Sequence, residues 1–194
     1  MPVGFWNDPD GSLYRQAYFQ RFPGVWAHGD IAEITSTGGL RIYGRSDAVL
    51  NPGGVRIGTA EVCEPVLALR EVIDCLAVSQ NWGGDVRIVL FVVLTDQETL
   101  TEQLKEIIRV AIRSAASPRH VPAVILEVPE IPRTLSGKPV ELAVRALVNG
   151  EKVENIASIA NPSVLRFFAG RSELAATDNE LTRADNPAKQ DRGV

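Results

Sequence analysis

Ile31–Thr35 and Leu40–Gly44 alternate apolar and polar positions, and Ser36-Thr37-Gly38-Gly39 between them has the composition of a tight turn, so the pattern predicts a hairpin. Residues 47–58 lack any period and centre on Asn51-Pro52-Gly53-Gly54, a loop in which two glycines permit left-handed backbone. Thr59 is read as the cap of a helix over 60–69, with Glu61 and Glu64 in its first turn. Strands follow over 73–79 and 86–95, separated by the turn residues 81–85. Thr95-Asp96-Gln97-Glu98 matches a capping box ahead of a helix over 97–116, where Leu100, Leu104, Ile107, Ile108, Ala111 and Ile112 share one face. A third strand over 123–128 leads to an exposed loop, Arg133 to Lys138, and to a helix over 139–148 with proline in its first turn. These elements predict an α+β fold, a three-stranded sheet with flanking helices.

The two ends read differently. The first 26 residues hold Phe5, Trp6, Tyr14, Tyr18, Phe19, Phe22 and Trp26 without a strong period, a composition that normally packs against something larger. Residues 155–170 read as short helices anchored by Val164, Leu165, Phe167 and Phe168, and residues 171–194, polar and free of aromatics, as a disordered tail.

Composition narrows the classes. The 194 residues are 45% hydrophobic and 23% charged, as in ordinary globular proteins. A net charge of −4, from 20 basic and 24 acidic residues, argues against a nucleic-acid coat or a binder of anionic membranes. The N-terminus lacks the basic start and apolar run of a signal peptide, and the longest apolar run is too short to span a bilayer, so a cytoplasmic location is expected. Cys63 and Cys75 are read as two small buried thiols, and no metal ligand set is expected in this chain.

Four segments carry candidate chemistry: His28-Gly29-Asp30 before a strand, Gly44-Arg45-Ser46-Asp47 at the end of the hairpin, Asn51 to Glu61, and Pro132-Arg133-Thr134-Leu135-Ser136-Gly137-Lys138. A short carboxylate such as Asp30 suits both hydroxyls of a ribose, and Arg45 offers planar donors beside it. Gly53 and Gly54 present backbone without side chains, as a narrow channel requires. A lone ammonium, Lys138, suits a reaction that brings two anions together.

In order and spacing these segments resemble the C-terminal part of the adenylate-forming acyl-CoA ligases, closest to the acetoacetate–CoA ligase branch. Met1 to Trp6, Pro23 to Asp30, Gly44 to Glu61, Ser117 to Pro122 and Asn161 to Leu165 carry the likeness, which spans about residues 1–169. The resemblance implies that 1–44 end a large AMP-binding domain, that 45–150 form the C-terminal lid, and that 151–170 are a helical extension. It implies Asp30 and Arg45 at the ribose of ATP or AMP, Arg56 near the nucleotide phosphates, and Asp47 as the hinge. Gly53 and Gly54 would line the channel for CoA, with Arg113 at its 3′-phosphate; Arg119 is a second candidate for that phosphate. Lys138 would serve acyl-adenylate formation and leave when the lid turns. Mg-ATP, CoA and acetoacetate are the implied substrates, and a large N-terminal domain the implied partner. Without that domain the chain is expected to be inactive; the alternative is a stand-alone, non-catalytic lid-like module that binds a partner or nucleotide.

Overall fold

The structure, a computed structural model, describes residues 1–46 and 48–175, and it divides into two units, Met1–Asp47 and the residues from Ala48 onward. The sequence reading set this boundary three residues earlier, and its hinge residue Asp47 lies outside the described residues.

In the first unit, helix α1 (Ser12–Phe19) is started by Asp8, whose carboxylate accepts the backbone N–H groups of Leu13 and Tyr14 at 3.1 and 2.9 Å. Strands β1 (Asp30–Ile34) and β2 (Leu40–Arg45) form the expected antiparallel hairpin. A chain of ring contacts, Phe5–Tyr14, Tyr14–Tyr18, Tyr18–Trp26 and Trp26–His28, with centroids 5.1 to 5.8 Å apart, joins α1 to the entry of β1. None of the described side chains of residues 1–46 is buried, and Trp6 is 99% exposed. The unit therefore coheres through aromatic edges and hairpin hydrogen bonds, without a core of its own.

The second unit is built around the apolar run that the sequence marks as a strand. Helix α2 (Thr59–Leu67) precedes β3 (Val72–Trp82) and β4 (Asp85–Leu94); helix α3 (Glu102–Ala115), β5 (Val124–Glu127) and helix α4 (Glu141–Val148) follow. β4 is central, antiparallel to β3 and parallel to β5. Its near-continuous hydrophobicity follows from burial on both faces. Cys75, Ala77, Ile88, Leu90 and Val92 pack with Val62 and Val66 of α2 and Leu104, Ile108 and Ile112 of α3. Leu76, Val78, Val89 and Phe91 pack with Val144 and Val148 of α4 and with Phe168 and Leu174.

Several boundaries move, each for a local reason. Gly58, not Thr59, caps α2: its backbone N–H is taken by Glu61 Oε1 at 2.8 Å, which frees the Thr59 hydroxyl to donate to Glu141 Oε1 at 3.0 Å. The capping-box match at 95–98 forms only a turn, Glu98 N–H to Thr95 O at 3.0 Å, and Thr101 caps α3 by accepting the Leu104 N–H at 3.2 Å. α4 begins at Glu141 because Pro139 pairs with Arg133 as an isolated bridge and Val140 N–H is held by Pro132 O. Cys75 is buried as expected, whereas Cys63 is half-buried.

The segment from 151 to 175 is part of this core rather than an appendage. Phe168 is fully buried and meets Phe91 edge to face, centroids 4.7 Å apart. Residues 171–175, which the sequence assigns to the tail, contain a 3-10 turn, Ser172–Leu174, with Leu174 buried and its carbonyl held by the buried Gln80 amide at 2.8 Å. The rest of the expected tail, 176–194, lies outside the described residues. Among the described residues no helix is long and apolar enough to cross a membrane.

Candidate functional site

Each unit presents its own group of the candidate residues. In the first, the β1–β2 register sets Asp30 directly opposite Arg45. Arg45 Nη1 lies 3.6 Å from Asp30 Oδ1 and donates to the His28 carbonyl at 3.0 Å, while His28 Nδ1 contacts Asp30 Oδ2. The half-buried carboxylate and the exposed guanidinium line a concavity of about 720 Å³, together with Tyr18, Trp26 and His28. An aromatic wall beside a carboxylate–guanidinium pair is suited to a ring carrying adjacent hydroxyls. His28 was read in the sequence only as a neighbour of Asp30; its ring contact with the carboxylate has no signal beyond the two-residue spacing.

In the second unit the loop 50–57 is a small hairpin. Leu50 and Ile57, both fully buried, exchange two backbone hydrogen bonds of 2.9 and 3.0 Å at its base. Its tip is a turn closed by Val55 N–H to Pro52 O at 3.1 Å, with Gly53 and Gly54 both left-handed at φ 56° and 77°. Only glycine takes two such positions in succession cheaply. A Cβ at Gly54 would meet no atom within 4 Å, so the tip is open on that side. Arg56, on one arm, is exposed and has no side-chain hydrogen bond among the described residues.

Lys138 is exposed at the end of a tight turn. Its backbone N–H is held by Thr134 Oγ1 at 3.1 Å and its carbonyl by Thr134 N–H at 2.8 Å. The turn's root is firm. Arg133 pairs with Asp74 at 2.5 Å and donates to Gly137 O at 2.8 Å, and its N–H is taken by Asn161 Oδ1 at 2.9 Å. The loop itself is solvent-facing, with Leu135 80% exposed, so a rigid base carries a free ammonium. Arg113 is exposed in the last turn of α3, and Arg119 exposed in the 3-10 turn Pro118–His120.

The structure thus brings Asp30 and Arg45 together, and Gly53, Gly54 and Arg56 together. Among the described residues of the second unit, Lys138, Arg113 and Arg119 form no side-chain hydrogen bond or ion pair with one another or with the Gly53–Arg56 group. One contributor was missed in the sequence: Asp85, whose carboxylate accepts the Gly53 N–H with both oxygens at 3.2 Å. Thirty-two positions separate the pair, and only the fold of the β3–β4 turn joins them.

No family model matches the chain. Over 174 residues, 90% of the chain, it is 59% identical to the acetoacetyl-coenzyme A synthetase of Rhizobium meliloti, covering 27% of that protein. It is 47% identical to the acetoacetyl-CoA synthetase of Gallus gallus over 89% of the chain and 26% of that protein. Among solved structures, acetoacetyl-CoA synthetase from Streptomyces lividans superposes with a TM-score of 0.78 at 43% identity, over 87% of this chain and 26% of that one. The chain spans about a quarter of the length of the curated relatives it matches. In sequence it is similar to the C-terminal quarter of the acetoacetyl-CoA synthetases, and its fold matches the C-terminal domain of the adenylate-forming enzymes.

Proposed function

We propose that this chain supplies the C-terminal part of the active site of an ATP-dependent acetoacetate–CoA ligase, working with a large adenylate-binding domain of the kind its relatives' remaining length would hold. The observation that carries this is the 59% identity to an acetoacetyl-CoA synthetase, sustained over nine-tenths of the chain. In the first half-reaction a carboxylate oxygen of acetoacetate attacks the α-phosphorus of ATP and pyrophosphate leaves. In the second, the CoA sulfur attacks the acyl carbon, AMP leaves and the thiol proton is released. A cytoplasmic place of action belongs to the same proposal.

The residues divide between these steps. Asp30 accepts from the ribose hydroxyls, with Arg45 as the neighbouring donor and Arg56 directed to the nucleotide phosphates. Lys138 lies between the two anions that must meet, where one charge offsets repulsion of roughly 4 kcal/mol per pair at 4 Å and intermediate dielectric. The Gly53–Gly54 tip admits the pantetheine arm, and Arg113 or Arg119 meets the CoA 3′-phosphate. Asp47 serves as the pivot between the two arrangements. Two requirements, Lys138 for one step and the glycine tip for the other, fit a lid that presents different faces in turn.

The test is ATP–pyrophosphate exchange with acetoacetate, run on the purified chain and again with a large adenylate-binding domain supplied separately. Exchange only in the second mixture is expected, because activation needs donors around the triphosphate from several sides and exclusion of water. Robust exchange by the chain alone would overturn this division of labour.

A further inference from the structure

Two glycine turns meet in the second unit. The first is the Gly53–Gly54 tip; the second is the β3–β4 turn, where Gly83 and Gly84 are left-handed at φ 56° and 81° between the paired Trp82 and Asp85. Two left-handed residues make the tight connection that matches strand twist, and this places Asp85 as the first residue of β4. Its carboxylate turns back to its own strand through Val86 N–H at 2.7 Å and reaches across to Gly53 N–H with both oxygens at 3.2 Å. Between the turns lies a cleft of about 550 Å³, lined by Asn51, Gly54, Trp82 and Gly84, with Asp85 in its wall.

We infer that Asp85 is the positioning residue of this cleft: it holds the Gly53–Gly54 tip in the form that leaves room for the thiol-bearing arm of CoA. This rests on the functional reading above, since the cleft's ligand is named from it. The tip has little else to fix it. Gly53 and Gly54 are exposed, neither carries a side chain, and a Cβ at either would touch nothing within 4 Å, so packing does not select the turn's orientation. The hairpin base at Leu50 and Ile57 anchors the arms and the bond from Val55 N–H to Pro52 O closes the turn on itself, but both lie within the 50–57 segment, whereas the Asp85 carboxylate ties the tip to the neighbouring strand. A carboxyl group on a paired strand that offers both oxygens is a strong restraint on a bare amide. Asp85 does not itself touch the reacting atoms. Its effect should be confined to the step that uses the cleft.

Two measurements on Asp85→Ala and Asp85→Asn test this. The first is amide exchange at Gly53 in the full chain. Asp85→Ala should exchange about tenfold faster or more, and Asp85→Asn, which keeps an acceptor oxygen in place, should return most of the protection. The second uses the chain together with its large domain. Asp85→Ala should raise the KM for CoA in thioester formation from supplied acetoacetyl-adenylate by about tenfold, with little change in ATP–pyrophosphate exchange, and Asp85→Asn should again recover. Unchanged Gly53 exchange in Asp85→Ala overturns the positioning role whatever the activities. Faster exchange with both half-reactions slowed equally, or with neither altered, overturns its link to the thiol step. If the unmodified chain with its large domain makes no thioester, the functional reading fails instead, and Gly53 exchange still decides whether Asp85 holds the tip.

Discussion

Asp30 and Arg45 stand opposite each other across the β1–β2 pair, at the two ends of the hairpin in sequence and 3.6 Å apart in space. The register that joins them includes an irregularity after Ile31, so the pairing is specified locally rather than by a regular ladder. Because Arg45 also holds the His28 carbonyl, it fixes the segment that carries Asp30. Asp30→Ala should therefore raise the KM for ATP by about 10- to 100-fold, the loss of a charge-assisted hydrogen bond. Arg45→Ala should cost somewhat less, and the double variant less than the sum of the two. Initial-rate kinetics on the four proteins, with the large domain present, measure this; strict additivity would separate the two residues' roles.

The placement of Phe168 gives a stability expectation. A fully buried ring stacked edge to face on Phe91 ties the C-terminal segment to the central strand. Phe168→Ala should lower the unfolding free energy of the second unit by about 3–5 kcal/mol, as large core truncations do. Urea unfolding followed by Trp82 fluorescence, with Trp6 and Trp26 replaced by Phe in both proteins, would report it. A change below 1 kcal/mol would mean that residues 151–175 are peripheral after all.

Cys75 gives a pH expectation. Its thiol is pushed well above the usual thiol range, first by the neighbouring Cys63 thiol and then by burial, and its Sγ–H donates to the Cys63 carbonyl at 3.7 Å. The thiolate is the reactive form, so at pH 8 iodoacetamide should leave the buried Cys75 intact until the protein unfolds. The sign for stability follows from the raised folded value. The contribution is complete below the unfolded thiol's pKa, about 8.5, and declines as pH rises above it. Urea midpoints at pH 8 and pH 10 should fall in that order, and Cys75→Ala should reduce the pH dependence.

Much of the fold is legible in the sequence where periodicity is strong. The alternation at 31–35 and 40–44, the apolar run at 86–94 and the stripe Leu104, Ile108, Ile112 each become the expected element. Helix starts are less legible, because several residues compete for one role. Thr95 and Thr101 both precede acidic residues, and the extra turn that Glu98 makes with Thr95 moves the cap to the later one. Thr59 and Gly58 compete likewise, and Glu61 settles the contest by bonding the backbone of Gly58. The core role of Leu174 is hidden by its polar surroundings in sequence; it is a single apolar anchor met by the buried Gln80 from 94 positions away.

The candidate site divides in the same way. Segments whose function needs a backbone shape, such as the Gly53–Gly54 turn, announce themselves by composition, and the turn has the left-handed geometry that composition requires. Lys138 is legible as an exposed cation on a short loop, while the anchoring of that loop through Arg133 to Asp74 and Asn161 is not, since those partners are 59 and 28 positions away. Asp85 belongs to this second class.

The most direct measurement separates the two half-reactions in Lys138→Ala and in a Gly54→Leu variant, each with the large domain present. Gly54 is left-handed at φ 77° with open space where a side chain would start, so a leucine there strains the turn and fills the cleft without striking the surrounding core. Lys138→Ala should slow acyl-adenylate formation by on the order of 10²–10³ and nearly spare thioester formation from supplied acetoacetyl-adenylate. Gly54→Leu should do the reverse. If both variants slowed the same half-reaction, the idea that one small lid serves the two steps with different faces would be contradicted.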